Sequence, residues 1–165
     1  MSNAFANFSG DCFRLTDEDL RVGIEASRTR ARKRMIFPLH RTQDAPVQRM
    51  LNFLQPGTYI RPHRHSTEGA IETLSLLRGC LGFVVLDDTG AITASHRLEA
   101  DGLGVVDIEP GIWHGMVALE PDSVMLEIKR GPYSAMLDKD FAPWAPEEGA
   151  AGADALVRRI EDAFH

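Results

Sequence analysis

The segment GTYIRPHRH at positions 57–65 decides how this chain folds and what chemistry it can perform. Its two histidines, His63 and His65, are separated by one residue, and alternate residues of a strand point to the same face. A strand here therefore directs both imidazoles into one space. Farther along, GVVDIEPGIWH at 104–114 places a third histidine, His114, directly after a tight turn on another strand. The pair and the distant third histidine predict a shared metal site.

Three imidazoles and one carboxylate make a complete protein ligand set for a divalent first-row metal, with positions left for water or substrate. Glu72 follows the histidine pair and can supply the carboxylate. We therefore expect one divalent metal ion, which is iron, manganese, nickel or zinc. A lone histidine in a strand is more often a hydrogen-bonded structural residue. We assign that role to the remaining histidines, His40, His96 and His165.

Outward from these motifs, turn residues recur every 8–12 residues from Met35 onward, between short apolar segments. This spacing is typical of an all-β sandwich or barrel. The segments that we predict as strands are 50–54, 73–77, 81–86, 104–108 and 124–128. Near the start, Thr16 can cap a helix at about 17–32 whose first turn is acidic, and a short helix is predicted at about 154–164.

Two motifs resemble those of the cupin superfamily. The pattern G(x5)HxH(x6)E(x6)G at 57–79 resembles the first cupin motif, and G(x4)EPG(x2)H at 104–114 resembles the second. The interval from the histidine pair to the glutamate is longer than is usual in the first motif, so Glu68 competes with Glu72 as the carboxylate ligand. Glu72 keeps the six-residue interval to the final glycine of the motif and is the ligand that the resemblance favours.

A narrower resemblance covers nearly the whole chain and is to the small cupin metalloproteins of the WbuC type, whose genes are often found with those for O-antigen polysaccharide. It is carried by RMLN at 49–52, RPHRH at 61–65, LRG at 77–79, the residues ExKxGPY at 127–133 and APWAPEEG at 142–149. The resemblance implies a cupin double-stranded β-helix, a jelly-roll barrel, and a metal held by His63, His65, Glu72 and His114. We expect an N-terminal tail and helix at 1–34, the barrel at 35–133, and a proline-rich extension with a short helix at 134–165.

Other side chains are candidates for catalysis or substrate binding. Glu127 and Lys129 share strand parity, so they could line the cavity as an acid and a base or pair on the outer surface. Arg49 and Asn52 have opposite parity, so at most one of them faces inward in a regular strand. We name as catalytic candidates Glu127, Lys129 and Tyr133, and as substrate-binding candidates Arg49, Asn52, Tyr59 and Trp113. For Trp113, a lid or a core aromatic is favoured over a stacking platform.

These residues predict an enzyme in which the metal chelates a hydroxy-carbonyl or carboxylate substrate and a side chain moves a proton. That chemistry suits an isomerase or epimerase acting on a sugar or sugar derivative, and the resemblance to the WbuC type implies a place in polysaccharide metabolism. The same ligands suit an iron-dependent dioxygenase. A metal-dependent binding module without turnover and a purely structural metal are further alternatives.

Composition excludes several other classes of protein. The 165 residues fit one domain, and the net charge of −6 divides into +3 over residues 1–50 and −9 over 51–165, which disfavours nucleic acid as a partner. We interpret the basic run at 28–34 as a solvated helix end or as a salt-bridge partner for the acidic remainder of the chain. No apolar run is long enough for a membrane helix, and two distant cysteines indicate a reducing compartment. We expect a cytoplasmic homodimer that binds a small-molecule substrate.

Overall fold

The computed structural model describes residues 3–134 and 138–165. These residues contain ten strands and two helices. The strands are β1 (Arg34–Pro38), β2 (Val47–Leu54), β3 (His63–Arg64), β4 (Glu72–Arg78), β5 (Cys80–Leu86), β6 (Ile92–Glu99), β7 (Val105–Ile108), β8 (Trp113–Ala118), β9 (Ser123–Arg130) and β10 (Asp140–Phe141). The helices are α1 (Asp17–Thr29) and α2 (Ala153–Glu161), and a single 3-10 turn, Asp162–Phe164, follows α2. The first two residues of the predicted tail and residues 135–137 of the predicted extension lie outside the described residues.

The strands form two antiparallel five-stranded sheets, in the orders β1-β2-β9-β4-β7 and β10-β3-β8-β5-β6. Leucine and methionine side chains from both sheets, among them Leu74, Met125, Leu81 and Met116, form one buried cluster between them. Such packing of two antiparallel sheets makes a β-sandwich. The chain is therefore mostly β, with one short helix near each end.

The five predicted strand segments lie in β2, β4, β5, β7 and β9, and only the segment at 104–108 begins one residue before its strand. Strands β1, β6 and β10 were not predicted as separate segments, and the longest of them, β6, has a sequence, ITASHRLE, with few apolar residues. It lies at the edge of its sheet and is mostly exposed, so it needs little apolar patterning.

Helix α1 begins at Asp17 because Thr16 caps it. The Thr16 hydroxyl accepts a hydrogen bond from the Asp19 backbone N–H at 3.2 Å, and the Asp19 carboxylate accepts one from the Thr16 N–H at 2.9 Å. The helix ends at Thr29, three residues before its predicted end, because Arg30 has extended backbone angles. Its face packs on β1 and β2, where Gly23 leaves room for the Phe53 ring.

Helix α2 covers the outer side of the second sheet. Its buried residues Leu156, Val157 and Ile160 join a cluster that contains Val84 of β5 and Val117 of β8. The helix begins one residue before the predicted start and gives way to the 3-10 turn at Asp162. Neither helix in the described residues has the length and apolar character needed to cross a membrane.

Candidate metal centre

Four buried side chains meet between the two sheets. His63 in β3 and His114 in β8 are paired across their strands, His65 follows directly after β3, and Glu72 begins β4 of the other sheet. One ligand atom from each residue lies within 4.8 Å of all the others. The Glu72 Oε2 atom is 3.2 Å from His65 Nε2 and 3.3 Å from His114 Nε2. The structure thus brings together the set that the sequence predicted, with Glu72 and not Glu68 as its carboxylate.

The outer nitrogen of each imidazole faces a backbone carbonyl. His63 Nδ1 lies 3.0 Å from the Arg61 oxygen, His114 Nδ1 lies 2.9 Å from the Ile112 oxygen, and His65 Nδ1 contacts the Asp138 oxygen. A carbonyl oxygen only accepts hydrogen bonds, so each Nδ1 carries the proton and each Nε2 directs a lone pair toward the centre. These second contacts orient the rings as they do in metal sites.

The inner nitrogens have no donor to satisfy them. The Nε2 atoms of His63 and His114 are buried and make no hydrogen bond within the described residues. Three nitrogen lone pairs and a carboxylate facing one another repel unless a cation lies between them. This donor set fits a divalent metal ion, which would satisfy all four groups at once.

Protonation states also fit a metal. Burial holds the pKa of the His63 imidazole well below its usual range, so the ring is neutral near pH 7. The pKa of Glu72 also lies well below its usual range, although burial alone would raise it, so this carboxyl is ionised. Neutral imidazole and ionised carboxylate are the forms that bind metals.

A cavity of about 430 Å³, which we call the metal cavity, opens beside His63 and Glu72. Asn52 of β2 and Glu127 and Lys129 of β9 line it on the side of the first sheet. The Asn52 amide donates to Glu127 Oε2 at 2.9 Å, and the Lys129 ammonium lies 3.7 Å from Glu127 Oε1. The shared strand parity of Glu127 and Lys129 therefore turns both toward the cavity and not toward the outer surface.

These two charged groups have shifted pKa values. Burial and the negative charge of Glu72 raise the pKa of Glu127. Burial favours the neutral form of Lys129, but the carboxylates of Glu127 and Asp138 outweigh burial and raise its pKa. Lys129 Nζ donates to both oxygens of Asp138, at 2.6 and 2.7 Å. Lys129 is therefore a fixed ammonium group at the cavity wall.

The remaining predicted residues lie farther from the metal centre. Tyr133 is at the cavity rim and 45% exposed. Arg49 is exposed on the outer face of β2, because its parity is opposite to that of Asn52. Tyr59 and Trp113 belong to the core cluster under α2 and do not line the cavity. Trp113 adjoins His114 in β8 and so faces the opposite side of that strand, where its indole N–H donates to Asp88 at 2.9 Å.

Among the residues of the cavity wall that were not predicted from the sequence, four are charged: Arg32, Arg34, Asp138 and Lys139. Asp138 supplies the carbonyl behind His65 and the carboxylate that holds Lys129. It lies in a segment without apolar periodicity, and only the pairing of β10 with β3 brings that segment to the site. The basic run at 28–34 was the one available signal for Arg34.

Comparison with known proteins identifies the fold. The family model described as "Domain of unknown function (DUF6016)" matches residues 15–98, just over half of the chain. No curated protein matches this sequence. Among solved structures the chain is similar to the capsular polysaccharide assembling protein CapF from Staphylococcus aureus, with 21% identity and a TM-score of 0.53. It is also similar to oxalate decarboxylase from Bacillus subtilis, with 15% identity and a TM-score of 0.51.

Both structural matches are partial. The match covers 64% of this chain and 31% of CapF, and 66% of this chain and 27% of oxalate decarboxylase. The chain therefore spans less than a third of the length of either protein. Both are cupin-fold proteins, so the likeness shows a cupin-like β fold for about two thirds of this chain.

Proposed function

Since this chain belongs to the family described as "Domain of unknown function (DUF6016)", we propose its function from the site itself: a mononuclear metal-binding cupin enzyme acting on a small sugar-like substrate. The substrate would carry a hydroxy-carbonyl or hydroxy-carboxylate group, and the reaction would be an isomerisation or epimerisation. The observation that carries this proposal is the convergence of His63, His65, Glu72 and His114 at the wall of an open cavity. The resemblance to the WbuC type, which also implies a jelly-roll barrel, supports the choice of a sugar, because genes of that type are often found with those for O-antigen polysaccharide.

A divalent metal held by these four side chains would act as a Lewis acid on a chelated carbonyl or carboxylate. Glu127 is the group best placed to move a proton on carbon, because it lies in the cavity wall next to the centre and the Asn52 amide fixes its orientation. The Lys129 ammonium favours negative charge that develops on a substrate oxygen. Tyr133 at the rim contacts the part of the ligand nearest the solvent.

Two other functions use the same centre. An iron-dependent dioxygenase needs the same ligands, together with an open position for oxygen. A binding module without turnover needs the metal and the cavity but no proton-transferring group, and the buried Glu127 and Lys129 favour the enzyme over this alternative. We further propose a cytoplasmic homodimer and the division into an N-terminal part, a barrel and a C-terminal extension at 1–34, 35–133 and 134–165. A monomeric mass in light scattering would contradict the dimer.

The test measures proton exchange and oxygen uptake on the same preparations. Protein reconstituted separately with iron, manganese, nickel or zinc is incubated without oxygen in deuterated buffer with aldoses and ketoses. We expect deuterium at the carbon next to the carbonyl, and we expect Glu127→Gln to lose this exchange while still binding metal. The matched control is His96→Ala, an exposed histidine away from the centre. Oxygen consumption by the iron form alone would favour the dioxygenase, and metal-dependent binding without exchange would favour the binding module.

A further inference from the structure

The fold divides the basic run at 28–34 between two places. Arg28 pairs with Asp122 at the end of α1, and the Nζ atom of Lys33 lies against Gly57. Arg32, in the turn before β1, and Arg34, the first residue of β1, line the metal cavity. Two of the five cations of the run are therefore directed to the site.

A second opening of about 390 Å³ adjoins the metal cavity at His63. We call it the vestibule and define it by its charged residues, which are Arg32, Arg34, Arg61, Lys139, Glu147 and Glu148. Four cations face two carboxylates there, although the chain as a whole carries a net charge of −6. A metal ion at the adjoining centre would add further positive charge.

Arg32 and Arg34 share one carboxylate. Arg32 binds Glu148 through Nε at 2.6 Å and Nη2 at 2.8 Å, and Arg34 Nη2 binds the same group at 2.9 Å. Arg34 is fixed further by the Tyr59 carbonyl, which lies 2.6 Å from Nη1, and its side chain is only 11% exposed. One carboxylate cannot neutralise two guanidinium groups, so an oriented excess of positive charge remains.

Lys139 has no such partner. The pairing of Phe141 with His63 brings β10 to the centre, and Lys139 and Phe141 both line the cavity and the vestibule. Within residues 3–134 and 138–165, Lys139 makes no hydrogen bond or close ion pair, although it lies near enough to Glu72 and Glu127 for its charge to favour their ionised forms. Arg61 packs over the Phe141 ring, 5.2 Å from its centroid, and donates from Nη2 to the Ala142 carbonyl at 3.1 Å, whereas its Nε atom is buried without a hydrogen-bond partner. The Lys139 ammonium therefore keeps N–H donors free for an incoming anion.

We propose that the vestibule is a subsite for an oxyanion, a carboxylate or a phosphate, at the end of the substrate opposite its metal-binding group. This inference rests on the proposed function, because it takes the metal centre as the place where the other end of the substrate binds. Arg32, Arg34 and Lys139 would bind the oxyanion through charged hydrogen bonds. The substrate class is then a sugar acid or sugar phosphate, not a neutral sugar.

The test uses three ligands that share one hydroxy-carboxylate end and differ at carbon 6. D-gluconate has a hydroxymethyl group there, D-glucarate a carboxylate and 6-phospho-D-gluconate a phosphate. Calorimetry on the metal-loaded protein should show at least about tenfold tighter binding of one charged ligand than of gluconate, and the better ligand identifies the oxyanion. Lys139→Met should remove most of this advantage, measured as the ratio of the affinity for the charged ligand to the affinity for gluconate. Lys33→Met, on the other side of the same run, should change none of the three affinities.

Two results would overturn the subsite. One is equal affinity for all three ligands, and the other is an advantage of the charged ligand that survives both Lys139→Met and Arg32→Ala. A failure of the proposed function looks different. In that case removal of the metal would leave the affinity for gluconate unchanged. The ratio of the affinity for the charged ligand to the affinity for gluconate would still test the vestibule.

Discussion

Glu72 Oε2 lies 3.3 Å from His114 Nε2, although Glu72 belongs to the first sheet and His114 to the second. The two atoms therefore face each other between the sheets, at the point where the cavity opens. Because the His114 Nδ1–H donates to the Ile112 carbonyl, its Nε2 atom carries a lone pair, and both facing atoms are hydrogen-bond acceptors. A bound cation would turn this repulsion into a link between the sheets, so metal binding and stability should be coupled.

The first prediction concerns metal content. Protein purified without a metal-affinity step should contain about one divalent ion per chain, and the double variant His63→Ala, His114→Ala should contain almost none, because two of the four ligands are lost. Mass spectrometry of the metals measures both. His96→Ala is the matched control and should keep its metal. Equal metal in the double variant and the wild type would show that the histidines are not ligands.

Metal removal should also lower the melting temperature. A metal at a hundredfold excess over its dissociation constant stabilises the folded chain by about 2.7 kcal/mol. For a chain of this size, that corresponds to about 5–10 °C in melting temperature. Calorimetry with and without a chelator measures the difference. The double variant should melt at one temperature under both conditions, and an equal chelator effect on it would contradict the coupling.

Lys129 should stabilise the fold through its ion pairs. Lys129→Met leaves the buried carboxylate of Glu127 and the partly buried carboxylate of Asp138 without their cation, which should cost about 3 kcal/mol in the free energy of unfolding. Urea denaturation measures this cost. Lys139→Met is the control, since Lys139 has no ion pair in the described residues, and it should change stability by less than about 0.5 kcal/mol. Similar losses for the two variants would contradict the assignment.

Asp122 should contribute to the loss of stability in acid. The Arg28 guanidinium and the Gln55 amide hold the pKa of the Asp122 carboxyl below its ordinary value of 3.8. A carboxyl with a lowered pKa in the folded chain stabilises it above the unfolded pKa, and this contribution is lost as the pH falls through the folded pKa.

Between about pH 6 and pH 2.5, the wild type should therefore lose about 1 kcal/mol more of its free energy of unfolding than Asp122→Asn. Denaturation curves at several pH values measure the difference. Asp101→Asn, at an exposed position, should follow the wild type. An acid loss in Asp122→Asn as large as that of the wild type would remove this role.

Gly23 should be required for the docking of α1. A Cβ atom at this position would lie 2.2 Å from Phe53 Cζ, so Gly23→Ala forces the helix away from β2 or the ring from its place. We expect a loss of about 1–3 kcal/mol. Gly102→Ala is a suitable control because its nearest neighbour would be 3.6 Å away. A Gly23→Ala variant as stable as this control would contradict the packing of α1.

The sequence by itself determined the features that depend only on residues close together in the chain. The parity of His63 and His65, the common side of Glu127 and Lys129, the cap at Thr16 and five strand segments are all local patterns, because a strand or helix fixes the direction of each side chain relative to its near neighbours. The choice of Glu72 came from motif spacing, and the structure places this residue at the histidines.

Only the tertiary structure decided which faces meet. It turned Asn52 inward and Arg49 outward, and it placed Tyr59 and Trp113 in the core beneath α2. It also brought Asp138 and Lys139 to the histidines through the pairing of β10 with β3. Contacts between residues so far apart depend on the pairing of strands and the packing of sheets, and they leave no periodic pattern in either partner's own sequence.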